Sequence, residues 1–329
     1  MKTIHSRSRA TGLFAIAALV TALGACAAPS EAEPLGDEGQ AAVASAGLTV
    51  NTAPDQDRIT TTVSQEAIDL LPEEFAADGK LTVAVNPYVP PLVFMADDEK
   101  TPIGHETDIA SLIADALGLE LDLQNRAWAD WPLALQSGDV EVTISNVTVT
   151  EERKDLFDFA TYRNDELGWL VKAGSDVTSI TTSADIAGLT IAVGSGTNQE
   201  KVLLAWDEEN QSNGLQPVQI EYFENDGDTT LALQSGRIDA SFGPNATAAF
   251  KAAVSPEDFS VVGTLNGGWP KTAHIAVASA KGNGLVDATS AALNHAIADG
   301  SYQQVLERWG LEAEAIAKSE INPQGLPKP

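Results

Sequence analysis

Few side chains in this sequence have the types and the spacing that catalysis or metal binding requires. The four histidines lie far apart along the chain, and Cys26 is the single cysteine. The sequence contains no HExxH pattern and no arrangement of nucleophile, base and orienting acid. Gly194-Ser-Gly196 lacks the lysine and the spacing of a phosphate-binding loop. We therefore expect no enzyme activity, no metal site and no cofactor, which leaves ligand binding and modification of the thiol.

Cys26 follows a segment that is typical of exported proteins. Positive charges among residues 2–9 precede an apolar run at 13–23, which is too short to span a bilayer, and two small residues then lead to the cysteine. This order resembles the lipobox of bacterial lipoproteins, whose thiol receives a diacylglycerol. An ordinary signal peptide beside a chance cysteine is the alternative. We predict that residues 1–25 are removed and that a lipid on Cys26 holds the chain on the extracytoplasmic face of the cell membrane.

The stretch after Cys26 and the overall charge limit the possible partners. Residues 27 to about 60 are rich in Ala, Glu, Ser, Pro, Gly and Asp, and such a composition buries too little apolar surface to become ordered. We therefore predict that residues 26–77 are the lipidated cysteine and a flexible acidic tether. The formal charge of -28 repels nucleic acid and anionic lipid headgroups, so neither is expected as a partner.

Strand-like and helix-like patterns alternate through the rest of the chain. Residues 106–118 show the helical pattern, because apolar residues recur three and four positions apart and Gly118 ends the run. This alternation favours open α/β sheets with covered faces. Strands are predicted at 81–85, 140–147, 189–193, 218–223, 238–242, 259–262 and 274–278. Helices are predicted at 106–118, 131–136, from about 198, 229–234, 245–253, 285–298 and 302–309.

One internal repeat suggests how these elements are grouped. Leu133-Ala-Leu-Gln-Ser-Gly138-Asp-Val-Glu141 recurs as Leu231-Ala-Leu-Gln-Ser-Gly236-Arg-Ile-Asp239. In both copies a helical pattern ends at glycine and a strand pattern begins. The repeat predicts two similarly built lobes, with chance similarity as the alternative. Ligands of α/β proteins bind at the carboxyl ends of strands and in clefts between lobes, so we expect a cleft site.

An ordered series of short motifs extends from residue 81 to residue 311. The motifs are Val85-Asn-Pro-Tyr-Val-Pro-Pro91, Gly104-His-Glu-Thr-Asp108, 128–138, Thr148-Val-Thr-Glu-Glu-Arg153, Phe157-Asp-Phe-Ala-Thr-Tyr162, 185–188, Val193-Gly-Ser-Gly-Thr197, Gly236-Arg-Ile-Asp-Ala240 and 299–310. Each motif is weak alone. In this order and at this spacing they resemble the polar amino-acid solute-binding proteins of ABC importers, which are the family-3 bacterial extracellular solute-binding proteins.

The resemblance implies an α/β fold of the periplasmic-binding-protein type. In that fold two α/β lobes are joined by two hinge crossings and have the ligand cleft between them. The first lobe would be 78–164 plus 272–320, the second lobe 165–271, and the tail 321–329. The resemblance also implies a small-molecule solute and an ABC permease in the membrane as partners, and we expect a monomer.

The resemblance further implies which residues hold the ligand. Arg153 matches the arginine that takes the ligand α-carboxylate, and its planar fork of donors suits a bidentate contact. A surface arginine is the alternative. Thr148 matches the threonine whose hydroxyl and amide join that carboxylate, and Asn146 matches a position whose backbone carbonyl meets the ligand amine. Thr197 and Asn198 begin a helix of the second lobe, where unpaired amides attract an anion.

Aromatic side chains are expected to form the walls of the cleft. Trp128 matches the aromatic wall of the family, with core packing as an equal alternative. Tyr88 would supply a second face, unless Val89 holds that position. Aromatic faces can cover an aliphatic stem or a cation.

Two positions depart from the family pattern. Asn86 stands where an acid is frequent in the first lobe. Residues 242–245 contain no acid, although the family commonly has one there for the ligand ammonium, and Asn245 is the polar candidate that remains. Either another acid such as Glu106 or Glu224 substitutes, or the ligand is not a simple α-amino acid. The carboxylate half of the site is therefore better supported than the ammonium half.

These inferences predict a membrane-tethered receptor that binds an amino acid or a related small carboxylate for an ABC importer. One alternative is a dehydratase-type enzyme on the same fold that acts on a cyclic carboxylate, in which His105 or Glu106 would serve as the general acid. Capping and packing are the simpler roles for both residues. Another alternative is a sensory lipoprotein that feeds no transporter. The sequence does not identify the solute, its affinity or the permease.

Overall fold

The computed structural model describes residues 43–45 and 48–328, with side chains from Val50 onward. Cys26 and the signal segment lie outside these residues. Across the described part of the chain, none of the helices combines the length and the apolar character needed to cross a membrane.

The strands are β1 Val43–Ser45, β2 Leu48–Val50, β3 Lys80–Val85, β4 Phe94–Met95, β5 Pro102–Ile103, β6 Glu120–Asn125, β7 Val142–Thr148, β8 Phe157–Lys172, β9 Thr190–Val193, β10 Gln219–Tyr222, β11 Ala240–Pro244, β12 Phe259–Asn266 and β13 Ala273–Ala280. The helices are α1 Gln65–Leu70, α2 Glu73–Ala76, α3 His105–Leu117, α4 Trp131–Ser137, α5 Asn198–Ser212, α6 Asp226–Gln234, α7 Asn245–Val254, α8 Leu285–Asp299 and α9 Ser301–Trp309.

Two βαβαβ units with the same connectivity form the centres of the two lobes. In the first, β3 lies between β6 and β7 and pairs with both in parallel. In the second, β9 lies between β10 and β11 and pairs with both in parallel. The repeated sequence occupies the same place in each unit, where α4 leads into β7 and α6 leads towards β11. In both copies the glycine, Gly138 or Gly236, has a positive φ that lets the chain turn out of the helix.

The long strand β8 connects the two units. Its first part pairs with β13 up to Asp165, and from Glu166 onward it pairs with β12 and β11. The chain returns between β12 and β13. Both crossings therefore pass through one region, and the strands run in the order β10-β9-β11-β8-β13-β7-β3-β6. The lobe limits at 164/165 and 271/272 stay predictions.

Each lobe has an apolar core, and α7 of the second lobe also packs against the first-lobe core through Ala246 and Phe250. In the first lobe, α3, α8 and α9 cover one face of the sheet, and a second cluster around Trp131 and Phe159 covers the other. In the second lobe, Trp169, Trp206 and Phe242 form the centre of the main cluster. Residues that repeat with helical periodicity thus bury one stripe against a sheet, as their sequence pattern predicts.

The N-terminal residues from Val50 onward belong to the fold, which corrects the predicted tether. Val50 and Ala67 are buried in the first-lobe core. Arg58 donates to the buried Asp108 over 2.5 Å, and α1 packs against α3 and α8. The prediction of a flexible segment as far as residue 77 is therefore wrong for 50–77. The mean composition of residues 27–60 conceals the few apolar residues near this end, such as Ile59, which find partners only in the tertiary structure.

The strand and helix predictions are confirmed in kind, with small shifts of their ends. The sequence patterns do not indicate β8, because Arg163, Asn164, Asp165 and Glu166 interrupt the apolar pattern. These four polar residues lie in the strand where it passes from one lobe to the other.

Candidate functional site

Arg153 lies between the two lobes. It begins the short 3-10 helix Arg153–Asp155, which follows β7. Its Nη1 donates to the carbonyl of Thr148 in the first lobe over 2.9 Å, and its Nη2 donates to the carbonyl of Gly196 in the second lobe over 3.2 Å. The guanidinium carbon is 5.4 Å from the centre of the Trp128 ring. This distance is within the range of a cation–π contact.

The charge of Arg153 is only partly compensated. Among the described residues, no carboxylate lies within ion-pair distance of its guanidinium. Burial lowers the pKa of Arg153 to about 10, and the charges of Asp165 and Glu152 act in the opposite direction. A carboxylate placed against this guanidinium would form charge-assisted hydrogen bonds that the neutral carbonyls do not provide. The arrangement is thus suited to bind an anion.

Thr148 connects the arginine to an acid in the crossing. Its hydroxyl donates to Oδ2 of Asp165 over 2.7 Å, and both residues are buried. Burial raises the pKa of Asp165, while the Thr148 hydrogen bond, Arg163 and Arg153 act to lower it. A Cβ at Gly267 would collide with the Asp165 carboxylate, so glycine at that position leaves room for the acid. Asp165 was not among the sequence candidates.

Asn146 is held in an unusual backbone conformation. Its φ is +52°, in the left-handed region that asparagine tolerates better than most residues. Its amide donates to Oε1 of Glu106 over 2.8 Å, and its side-chain oxygen accepts from Arg163. Hydrogen bonds therefore fix both the backbone and the side chain of Asn146 at the end of the strand that leads to Thr148.

A buried ionic cluster lies beneath Asn146. Arg163 is 1% exposed and pairs with Glu314, which is 3% exposed; Glu106 is 4.0 Å away and 1% exposed. Burial opposes the charge on Arg163, but the neighbouring carboxylates, Glu314 first, keep its pKa above the usual value. Burial raises the pKa of Glu106, which also accepts from the Tyr162 hydroxyl over 2.7 Å. Glu106 thus accepts hydrogen bonds from the Asn146 amide and the Tyr162 hydroxyl, and it is enclosed by protein.

Asn86 lies beside the strand that contains Asn146. It follows β3, which pairs in parallel with β7, so it is next to the residues that precede Asn146. Its side chain is 9% exposed, and within the described part of the chain its Oδ1 has no hydrogen-bond partner. A buried acceptor without a partner is costly unless a ligand or water supplies the donor.

The second lobe contributes the start of α5. The Thr197 hydroxyl caps this helix by accepting from the Glu200 amide over 3.2 Å and donates to the Gly194 carbonyl over 2.6 Å. Asn198 is buried and its Nδ2 donates to the carbonyl of Gly267. These contacts place the positive end of a helix dipole beside Gly196, whose carbonyl accepts from Arg153.

The two aromatic candidates, Trp128 and Tyr88, differ in their contacts. Trp128 is partly buried, borders the core cluster of Trp131 and contacts Arg153, so it combines packing with a place in the cleft. Tyr88 is 51% exposed, and no described contact joins it to Arg153 or Trp128. Val89, the alternative, packs partly against the first-lobe core. The structure therefore does not bring Tyr88 together with the other candidates.

Asn245 lies at a separate groove. It begins α7, and its Nδ2 is 3.4 Å from Oε2 of Glu166. The same groove is lined by Phe250, Trp309 and Glu314 and does not include Arg153. Asn245 is thus connected to the crossing through Glu166 but not to the carboxylate-binding candidates directly.

The chain also matches a known protein family. Residues 81–312 match the model of the bacterial extracellular solute-binding proteins, family 3. The chain belongs to this family. The match covers well over half of the chain and confirms the resemblance that the motif series indicates.

Two curated members of the family are similar to this chain over most of their length. The arginine-binding protein ArgT of Corynebacterium glutamicum is 29% identical over 263 residues, which cover 78% of this chain and 83% of that protein. The L-cystine-binding protein TcyJ of Escherichia coli K12 is 31% identical over 233 residues, which cover 70% of this chain and 82% of that protein.

Solved structures show the same two-lobed fold. An ancestral arginine-binding protein bound to arginine superposes with a TM-score of 0.62 at 29% identity, covering 70% of this chain and 98% of that one. A mutant of ArgBP from T. maritima gives a TM-score of 0.63 at 27% identity, covering 74% of this chain and 99% of that one. An ancestral amino acid-binding protein described as a precursor of cyclohexadienyl dehydratase gives 0.63 at 25% identity, with 72% and 98% coverage. The fold is therefore the periplasmic-binding-protein-like α/β fold that the sequence predicts.

Proposed function

We propose that this protein is an exported, membrane-tethered receptor of an ABC importer, and that it binds an amino acid in the cleft between its lobes. The observation that carries this proposal is the position of Arg153, a cation between the lobes whose direct partners are two neutral carbonyls. The names of the family members support an amino acid as the ligand, because they include binding proteins for arginine, cystine, histidine and glutamine.

Arg153 and the backbone amide of Thr148 would hold the ligand α-carboxylate, because the Thr148 hydroxyl already donates to Asp165. The guanidinium offers a planar pair of donors, and a hydrogen bond to a charged group contributes about 1.5–3 kcal/mol. The start of α5, at Thr197 and Asn198, would add a favourable dipole from the opposite lobe. A ligand carboxylate in this position contacts both lobes at once.

Asp165 would take the role of the acid that residues 242–245 lack. It is buried and accepts a hydrogen bond from the Thr148 hydroxyl. Of the substitutes that the sequence suggests, Glu106 is engaged by Asn146 and Tyr162, and Glu224 is exposed. The ligand ammonium would lie between the Asp165 carboxylate and the backbone carbonyl of Asn146.

Closure of the hinge would join the lobes around the ligand. Two contacts already link them: Arg153 to Gly196, and Lys201 to Glu152 over 2.5 Å. A ligand that binds the closed arrangement more tightly than the open one shifts the population towards closure. The closed surface would then be the form that a permease recognises.

Calorimetric titration of the delipidated protein with L-arginine, L-cystine, L-histidine and L-glutamine tests the ligand class. We expect at least one to bind, and we expect Arg153→Ala to weaken that binding by about tenfold or more, because each 1.4 kcal/mol is a factor of ten. Arg237→Ala is the matched control, since Arg237 lies on the surface and pairs with Glu221. Unchanged affinity in Arg153→Ala would overturn the proposed site.

A second experiment tests the part of the site that would bind the ligand ammonium. Asp165→Asn should weaken binding of the amino acid while leaving binding of its deaminated analogue nearly unchanged. Equal losses of affinity for both compounds would show that Asp165 acts only on the fold or on the carboxylate.

A separate experiment tests the lipid tether. Cys26→Ser should move the protein from the membrane fraction into the soluble extracytoplasmic fraction.

A further inference from the structure

The last residues of the chain return to the loop that carries Arg153. We propose that residues 320–326, here called the C-terminal strap, are positioning residues of the binding site. They hold the loop 149–155 so that Arg153 is ordered before the ligand arrives. This inference rests on the proposed role of Arg153 and extends it to a part of the chain outside the family match, which ends at residue 312.

The strap pairs with the loop through its backbone. The Leu326 amide donates to the Val149 carbonyl over 3.1 Å, and the Glu151 amide donates to the Leu326 carbonyl over 2.8 Å. These two bonds form a parallel bridge across Thr150. Thr150 in turn accepts from the Arg153 amide through its hydroxyl over 3.0 Å. The strap therefore acts on Arg153 through one intermediate residue.

Side chains of the loop also bind the strap. Lys154 donates from Nζ to the carbonyl of Pro323 over 3.0 Å, and Glu151 accepts from the Gly325 amide over 2.8 Å. The strap and the loop thus share four hydrogen bonds within a few residues of the guanidinium.

The strap is fixed upstream to the start of β8. Asn322, with a φ of +47°, exchanges hydrogen bonds with the backbone of Phe159 and donates to Asp158 over 2.8 Å. Glu320 exchanges hydrogen bonds with Thr161. The strap is therefore attached to a rigid strand on one side and to the arginine loop on the other.

Two glycines provide the close approach. A Cβ at Gly325 would lie 2.8 Å from the Thr150 carbonyl carbon, so a larger residue would separate the strap from the loop. A Cβ at Gly268 would collide with the side chain of Leu326. Gly268 lies in the return crossing next to Gly267, which borders Asp165. The strap consequently contacts both the loop and the crossing that flank the ligand.

Removal of the strap would leave the loop able to move. A free loop must be ordered at the moment of binding, and this ordering reduces affinity even though no direct ligand contact is lost. The strap therefore contributes by preorganisation, and its loss should appear as faster motion of the loop and weaker carboxylate binding.

Hydrogen–deuterium exchange without any ligand tests the positioning itself. The variants are a chain that ends at Glu320 and the full chain with Gly325→Ala; the control is Gln324→Ala, because Gln324 is exposed in the same strap. We expect amides of loop 149–155 to exchange roughly tenfold faster or more in the first two variants, with amides of β9 unchanged and the control like the parent. If the shorter chain fails to fold, Gly325→Ala alone decides. Equal exchange of the loop in parent and Gly325→Ala overturns the inference whether or not amino acids bind.

A double-mutant cycle tests the connection to Arg153. With L-arginine, L-cystine, L-histidine and L-glutamine as probes, Gly325→Ala should weaken binding roughly tenfold in the parent and much less in the Arg153→Ala background. The same loss in both backgrounds would show that the strap acts elsewhere and would overturn the inference. Loss of loop protection without binding of any probe by the parent would instead overturn the proposed ligand class and leave the positioning role supported.

Discussion

The first lobe buries charged side chains beneath its cleft-facing strands, whereas the second lobe fills its centre with stacked aromatic rings. Arg163, Glu314 and Glu106 are all at most 3% exposed in the first lobe. In the second lobe, the Trp169 and Phe242 rings stack with centroids 3.8 Å apart, and the Trp206 ring also stacks with that of Trp169, at 5.7 Å. The two lobes share a connectivity but differ in what holds the core together.

This difference corresponds to different tasks. In the first lobe the buried charges form hydrogen bonds with Asn146, whose backbone has the left-handed conformation, and directional bonds of this kind specify one geometry. The N-terminal segment, through Arg58, and the strap, through Leu326, also pack on this lobe. The second lobe, whose core is mainly apolar, has fewer such hydrogen bonds from buried charged side chains. In the proposed hinge closure, the first lobe would be the fixed frame of the site and the second lobe the part that moves.

The largest effect should come from breaking the ionic cluster. Arg163→Ala leaves Glu314 and Glu106 buried without their cation, and the loss of one partner of a buried pair costs about 3–5 kcal/mol. Urea unfolding of the variant and of Arg237→Ala, which removes an exposed pair, measures the contrast. A loss for Arg163→Ala as small as for the control would show that the cluster does not hold the first lobe.

The apolar core of the second lobe should respond somewhat less. Leu203 is fully buried, and Leu203→Ala should lower the free energy of unfolding by about 2–5 kcal/mol because it leaves a cavity. Leu204 is the adjacent control, with 46% exposure, and Leu204→Ala should change stability by about 0.5 kcal/mol or less. The loss of unfolding free energy in Leu203→Ala should be independent of pH, since no charge is involved. This independence would distinguish the apolar core of the second lobe from the ionic cluster of the first.

The first lobe should show a pH dependence through His105. This ring is fully buried, and within the described residues neither nitrogen has a hydrogen-bond partner. Burial, followed by the charge of Arg163, lowers the pKa of His105 well below its usual value. Below about pH 6.5 the unfolded chain therefore binds a proton that the folded chain does not, and stability falls as the pH falls.

The measurement is the difference in unfolding free energy between His105→Phe and the parent from pH 7.5 to pH 5. It should change by up to about 1.4 kcal/mol per pH unit in favour of the variant below the unfolded pKa. Glu106 and Asp165, whose pKa values are raised by burial, act in the opposite sense but are common to both chains. A difference that stays constant with pH would contradict this origin.

The smallest effect concerns the contact between the lobes. The side chains of Lys201 and Glu152 are 45% and 57% exposed, so their bridge should contribute less than about 1 kcal/mol to closure. Lys201→Ala should therefore raise the Kd of a bound amino acid by less than about fivefold, and 0.5 M salt should remove most of that difference. A much larger, salt-independent effect would mean that this bridge, rather than the ligand, keeps the lobes together.

The sequence determined the alternation of strands and helices, the repeated unit and the arginine motif, because these depend on local periodicity and on residues close together in the chain. The candidates Arg153, Thr148 and Trp128 are brought together by the folded chain, beside Gly196 of the second lobe. The clustering of these predicted residues follows from the carboxyl ends of strands meeting at one edge of each sheet.

Only the tertiary structure decided the role of residues whose partners lie far along the chain. Asp165 reaches Thr148 because β8 carries it into the crossing, and Arg163 reaches Glu314 across 151 positions. The N-terminal residues from Val50 and the C-terminal strap likewise become part of the fold through distant partners. Composition and periodicity describe what a segment can bury, but whether it is ordered depends on a surface that other segments build, and that surface exists only after folding.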